Sequence, residues 1–172
     1  MEIVFYPVAV VAVVATLMVI VQTNPVHALL YLIVSLLAVA LIFYLLGAPF
    51  AAALEVILYA GAILVLFVFV IMMLNVGADT IAAEHRLFHT GIWTGPLVLG
   101  VVLLAELVYV LMTFDARTAG GAAVEAKAVA VAMFGPYLLG VELASLLLLA
   151  GLVGAHHLGR GWNLDRSAEG GA

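Results

Sequence analysis

From Ile3 to Leu54 the chain contains no aspartate, glutamate, lysine or arginine, and from Val56 to Ala78 again none. A run of that length cannot sit on a water-facing surface, and a soluble domain spends about a quarter of its residues on charge. Here the charged share is 9% and the hydrophobic share 68%. Too little polar surface remains to cover a soluble core, so the chain reads as an integral membrane protein. The net charge of −5 excludes the basic face that nucleic-acid binding requires. With no cysteine, the chain offers no thiolate ligand for an iron–sulfur cluster and no disulfide. The first apolar run has no basic segment before it and is too long for a signal-peptide core, which speaks against a cleavable leader.

A helix needs about 20 apolar residues to cross about 30 Å of hydrocarbon. Five runs meet that length, at about residues 2–21, 26–46, 51–75, 91–113 and 134–158. Asn24-Pro25 and Gly47-Pro49 punctuate the first two connections. The third and fourth connections carry the charge, in "VGADTIAAEHRLFH" and "FDARTAGGAAVEAK", and a short polar tail, 161–172, closes the chain. No run alternates in polarity, so a β-barrel is excluded. The expectation is an all-α membrane domain over residues 1–160. Arg86, Arg160 and Arg166 share one side and Arg117 and Lys127 the other, which favours an outside N-terminus and a cytoplasmic tail.

Three carboxylates fall inside spans: Glu55, Glu106 and Glu142. An acid near a span centre costs about 2.5–3.5 kcal/mol on insertion scales, so it usually has a function or a partner. On the orientation above, all three lie in the outer half of the membrane. Each can be a proton-relay group or a polar clasp near the interface. Tyr59 stands one turn from Glu55, where its hydroxyl could meet the carboxyl or extend a water chain. The histidines carry less: His27 reads as an interfacial hydrogen-bonder. The adjacent His156 and His157 point about 100° apart, which does not suit one metal ion.

Span three also places Gly61 between Ala60 and Ala62, ahead of a β-branched and aromatic run. Glycine costs about 1 kcal/mol inside a helix. Close packing against a neighbour is one explanation. A π-bulge is the other, and gaining or losing it would turn everything beyond by about 100°. In span five, Gly151 with Ala155 and Ala150 with Gly154 read as generic helix packing.

The stretches "TNPVHALLYLIVSLLA", "ALEVILYAGAILVLFVFVIMMLN" and "AKAVAVAMFGPYLLGVELASLLLLAGLVGA" resemble the J-subunit family of bacterial respiratory complex I, the proton-translocating NADH–quinone oxidoreductase. The family is similar to the mitochondrially encoded sixth ND subunit, and the resemblance spans about residues 1–160. It implies five membrane helices in the membrane arm. The expected neighbours are the quinone-chamber subunit, the small A and K subunits and the antiporter-like subunits. It implies a π-bulge around Tyr59, Ala60 and Gly61, with Val65 beyond, whose interconversion with α-helix gates a hydrated proton path. Glu55 matches the family's membrane glutamate in helix three. Glu142 lies in a matching stretch, whereas Glu106 matches no family motif and rests on position alone. The loop at about residues 76–90 would face the cytoplasm near the quinone site. FMN, the iron–sulfur clusters and quinone would belong to partner subunits, with no cofactor and no metal in this chain, and the location would be the bacterial inner membrane. A related proton-pumping hydrogenase or antiporter assembly, a small proton-coupled transporter and a purely structural filler are the competing readings.

Overall fold

A computed structural model of the chain describes residues 2–74, 90–113 and 123–169, with side chains over 4–73, 94–113 and 123–159. Every regular element among these residues is helical. Five stretches are long and apolar enough to cross a membrane: Val4–Val21, Pro25–Leu45, Pro49–Met73, Thr94–Thr113 and Leu138–Gly159. The expected all-α architecture with five spans is therefore observed. Residues 76–89 of the third connection, with His85, Arg86 and His89, lie outside the described residues, as does Arg117.

Two compact units make up the chain, Met1–Glu125 and Ala126–Ala172. In the first, α1 (Glu2–Val21) and α2 (Pro25–Leu45) form an antiparallel pair. Asn24 caps α2, its Oδ1 accepting the Val26 N–H at 2.9 Å, and Pro25 fills the first helical position, where no N–H is needed. The pair packs through Val8, Val11, Ala12, Ala15, Val34, Ala38, Leu41 and Leu45. Inside that contact the Thr16 hydroxyl donates to the Ala12 carbonyl at 2.8 Å and lies 2.7 Å from the Ser35 hydroxyl. An interhelical hydrogen bond of this kind contributes about 0.6 kcal/mol in a membrane.

The turn after α2 is closed entirely by backbone. Gly47 has φ 81°, the left-handed conformation glycine adopts without penalty. Gly47 N–H donates to Tyr44 O at 3.1 Å, and Ala48 N–H to Phe43 O at 3.0 Å. These two bonds make a Schellman ending that satisfies the last carbonyls of α2. Span three follows at once as α3 (Pro49–Leu54), a π-helix, π1 (Glu55–Ile63), and α4 (Leu64–Leu74).

α5 (Thr90–Thr113) adds Leu103 and Val110 to the core of α1 and α2. At its start Gly95 lies against Tyr31 of α2. A Cβ on Gly95 would collide with the Tyr31 hydroxyl, and the Tyr31 ring is itself buried. Gly95→Ala is expected to destabilise the assembled protein by about 1–3 kcal/mol through overpacking. Tyr31→Phe in the same chain should restore part of that loss. Thermal stability of the purified complex checks both, and a pair of losses that simply add would remove this contact as the cause.

The second unit holds α6 (Ala126–Met133) and α7 (Leu138–Glu169). The fifth span starts at Leu138, not near residue 134, because "FGPY" makes a turn. A Cβ on Gly135 would sit 2.7 Å from the Val131 carbonyl, and Pro136 has no N–H to continue the ladder. Tyr137 N–H reaches back to Ala132 O at 3.1 Å. The backbone then stays helical to Glu169, well past the start of the polar tail.

Candidate functional site

Span three changes register where its sequence departs from a plain membrane helix. The Glu55 N–H is shared between the Ala51 and Ala52 carbonyls, as at an ordinary helical turn. At the far end of π1, Leu64 N–H bonds to Tyr59 O, five residues back. A wider turn of this kind brings the carbonyl of residue i−5 beneath residue i. A Cβ built on Gly61 would meet the Val56 carbonyl at 3.2 Å, closer than side chains ordinarily approach a backbone oxygen. Glycine at 61 therefore has a reason of its own here. It leaves room for the carbonyl that the π turn aims at it, and helix–helix contact is not needed to explain it.

Four of the residues singled out in span three, Glu55, Tyr59, Ala60 and Gly61, lie within π1, and Val65 is the second residue of α4. Glu55 and Ala60 are half-buried in this chain, and Tyr59, Gly61 and Val65 are exposed. No residue of π1 is fully buried by the chain itself, although Leu64 just beyond it is. Among the described residues Tyr59 and Glu55 make no hydrogen bond to each other.

A cavity of about 530 Å³ lies beside α3 and the very start of π1, between span three, α2 and α5. Ala52, Ala53 and Val56 line it from span three, Val34, Leu41 and Tyr44 from α2, and Leu103, Leu104 and Leu107 from α5. Its wall is almost wholly apolar, and neither Glu55 nor Glu106 lines it. Glu106 lies between the cavity-lining Leu104 and Leu107 along α5, with the buried Leu103 and Val110 on either side. Its Oε2 is buried and accepts no hydrogen bond among the described residues.

Glu142 belongs to the other compact unit, in the second turn of α7. Its side chain is exposed on that unit, and its backbone carbonyl accepts the Ser145 hydroxyl at 2.7 Å. His27 is buried at the start of α2, while His156 and His157 are exposed on α7. Among the described residues no three histidines, aspartates or glutamates come together in a way that could hold a metal ion.

The Thr16–Ser35 clasp, the Tyr31–Gly95 contact and the apolar cavity have no counterpart in the sequence reading. Hydroxyl residues in two neighbouring spans were a signal for the first. The second had the small Gly95 beside Pro96, at the start of a span.

Comparison with known proteins bears on the same segment. The family of NADH-ubiquinone/plastoquinone oxidoreductase chain 6 matches residues 15–158. NADH-quinone oxidoreductase subunit J of Pseudomonas aeruginosa is 60% identical over 165 residues, covering 93% of this chain and 97% of its own length. The subunit J of Escherichia coli strain K12 is 54% identical over 160 residues, covering 93% and 87%. That of Buchnera aphidicola from Schizaphis graminum is 48% identical over 160 residues, covering 93% and 98%. With five membrane helices, a π-helix in the third and this extent of likeness, the chain belongs to the NADH-ubiquinone/plastoquinone oxidoreductase chain 6 family, the subunit J proteins of NADH-quinone oxidoreductase.

Proposed function

We propose that this chain couples quinone reduction to proton translocation, with its third span as the conformational gate. Family membership makes it a membrane-arm subunit of NADH-quinone oxidoreductase. The observation that carries the gate is the π-helix Glu55–Ile63, which holds Tyr59, Ala60 and Gly61. A π turn stores one residue more than α-helix needs. Releasing it turns the two ends of the span against each other by about 100°, exchanging the face that Val65 and the residues beyond it present.

In this reading Glu55 takes up and releases the proton, and Tyr59 extends its hydrogen-bonded reach. Glu106, whose buried Oε2 accepts no hydrogen bond among the described residues, and Glu142 are further stations on the proton path. The chain performs no redox step. FMN, iron–sulfur clusters and quinone are held by partner subunits, and its neighbours are the quinone-chamber subunit, the A and K subunits and the antiporter-like subunits. The N-terminus lies outside the bacterial inner membrane and the C-terminus in the cytoplasm, a reading supported by Arg86, Arg160 and Arg166 on one side against Arg117 and Lys127 on the other.

The test is a mild-detergent pull-down through a C-terminal tag, with co-purified chains identified by mass spectrometry. The expected result is one large particle containing NADH-binding, iron–sulfur and antiporter-like subunits. Recovery of the chain alone, or only with itself, overturns the assembly. Recovery with hydrogenase subunits in place of the NADH-binding ones would assign it to a related pump.

A further inference from the structure

Glu106 is a membrane carboxylate that its own chain leaves without a donor. It stands on the inward seam of α5, three residues after Leu103 and four before Val110, both buried in the core shared with α1 and α2. Its Oε2 is enclosed by the chain and accepts no hydrogen bond among the described residues. Snorkelling does not relieve it. The nearer end of the span, Thr113, is seven residues away, about 10 Å along the axis. Helical side chains also lean toward the N-terminus, which carries the carboxyl away from that end and toward the middle of the span. A charge enclosed in hydrocarbon is costly until something pairs with it.

The five spans cannot supply that pairing. They hold three carboxylates, Glu55, Glu106 and Glu142, and no lysine or arginine. His27 is too far along the bundle: Tyr31, one turn after it, meets Gly95, which precedes Glu106 by eleven residues, about 16 Å. His156 and His157 stand near the end of the fifth span, and successive spans run in alternate directions, so that end lies on the side opposite Thr113.

We propose that Glu106 is an interface group, ionised and paired with a lysine or arginine side chain that a neighbouring membrane-arm subunit brings against α5. The inference rests on the membrane-arm assembly proposed above and gives one of its carboxylates a fixed counter-charge. Glu106 is only half-buried by this chain, so the carboxyl keeps an open edge. A long basic side chain can reach it there while its apolar stem lies along the helix surface.

The test is three substitutions at position 106 in the purified oxidoreductase, read as the rate at which this chain leaves the complex in mild detergent. Removing one member of a buried ion pair strands the other, and such losses fall mainly on dissociation. Glu106→Gln should therefore speed dissociation by about 100-fold. Glu106→Lys sets like charges together and should block incorporation while the chain still reaches the membrane. Glu106→Asp keeps the charge and gives up one methylene, and it should recover most of the loss.

The order Asp above Gln above Lys marks a cationic partner. A carboxyl held neutral by hydrogen bonds gives Gln above Asp, since glutamine both donates and accepts, and overturns the proposal. A Glu106→Gln complex that dissociates at the parent rate overturns it too; if that complex has lost pumping, the relay role of Glu106 stands and only the pairing falls. If Glu106→Gln is not incorporated at all, incorporation ranks the variants. Asp recovered without Gln then supports the pair, and the loss of both overturns it. A parent chain found in no such complex overturns the assembly and the pairing together.

Discussion

Gly61→Leu is expected to give a fully assembled oxidoreductase whose NADH-driven quinone reduction is slowed and poorly coupled to proton export. Gly61 is exposed on the chain, so most of a leucine side chain would leave the chain's own surface. The contact that matters is the first carbon, placed 3.2 Å from the Val56 carbonyl by the π turn. In an α-helix the Val56 carbonyl no longer lies beneath residue 61, and this particular contact is not made. Replacing glycine also favours regular helix by about 0.5–1 kcal/mol. Both effects push the same way, toward α. An equilibrium shift of about five-fold or more follows from the propensity difference and the crowding together. Gly61→Ala should move coupling in the same direction by less. Protons pumped per NADH in reconstituted vesicles, beside assembly on a native gel, separates the possibilities. A merely space-filling span predicts normal coupling or failed assembly, and either result would sink the gate.

Glu55→Gln is the second large effect. The side chain keeps its size and its hydrogen-bonding reach but can no longer carry a proton. A polar clasp would tolerate that change. A relay would not, and the proton step should slow about 100-fold, the low end of what a positioned acid–base group contributes. The expected result is an assembled complex that oxidises NADH with an artificial acceptor at the parent rate and pumps almost nothing. Near-normal pumping by Glu55→Gln would return Glu55 to a structural role.

Much of this is legible in the sequence. A charge-free run of this length leaves only membrane helices, and Asn24-Pro25 and Gly47-Pro49 mark their own turns through known backbone restrictions. The π-helix was legible for a narrower reason. Gly61 stands in a β-branched and aromatic run where a glycine costs stability, and the family resemblance around Tyr59 turned an open choice into an expectation. Hydropathy alone sets the start of the fifth span four residues early, since it continues smoothly through "FGPY" while the backbone turns there. What stayed hidden is how the spans face one another. A helix that is apolar all round carries no stripe to say which side meets a neighbour. The Thr16–Ser35 pair, the Tyr31–Gly95 contact and the cavity beside Val56 are all consequences of rotation about a helix axis. That rotation is set by packing in three dimensions and leaves little trace in one.

The length of α7 has a mechanical consequence. Its 32 residues make a rod of about 48 Å at 1.5 Å per residue, against a hydrocarbon layer of about 30 Å. The apolar portion, Leu138–Gly159, uses 22 residues, about 33 Å and enough to span that layer with slight tilt. The remaining ten residues continue the same rod beyond the lipid with no break in the backbone. A rod without a joint at the membrane surface cannot absorb a twist there. A turn or tilt imposed on α7 within the bilayer is therefore carried along one continuous helix for about 15 Å past its apolar portion.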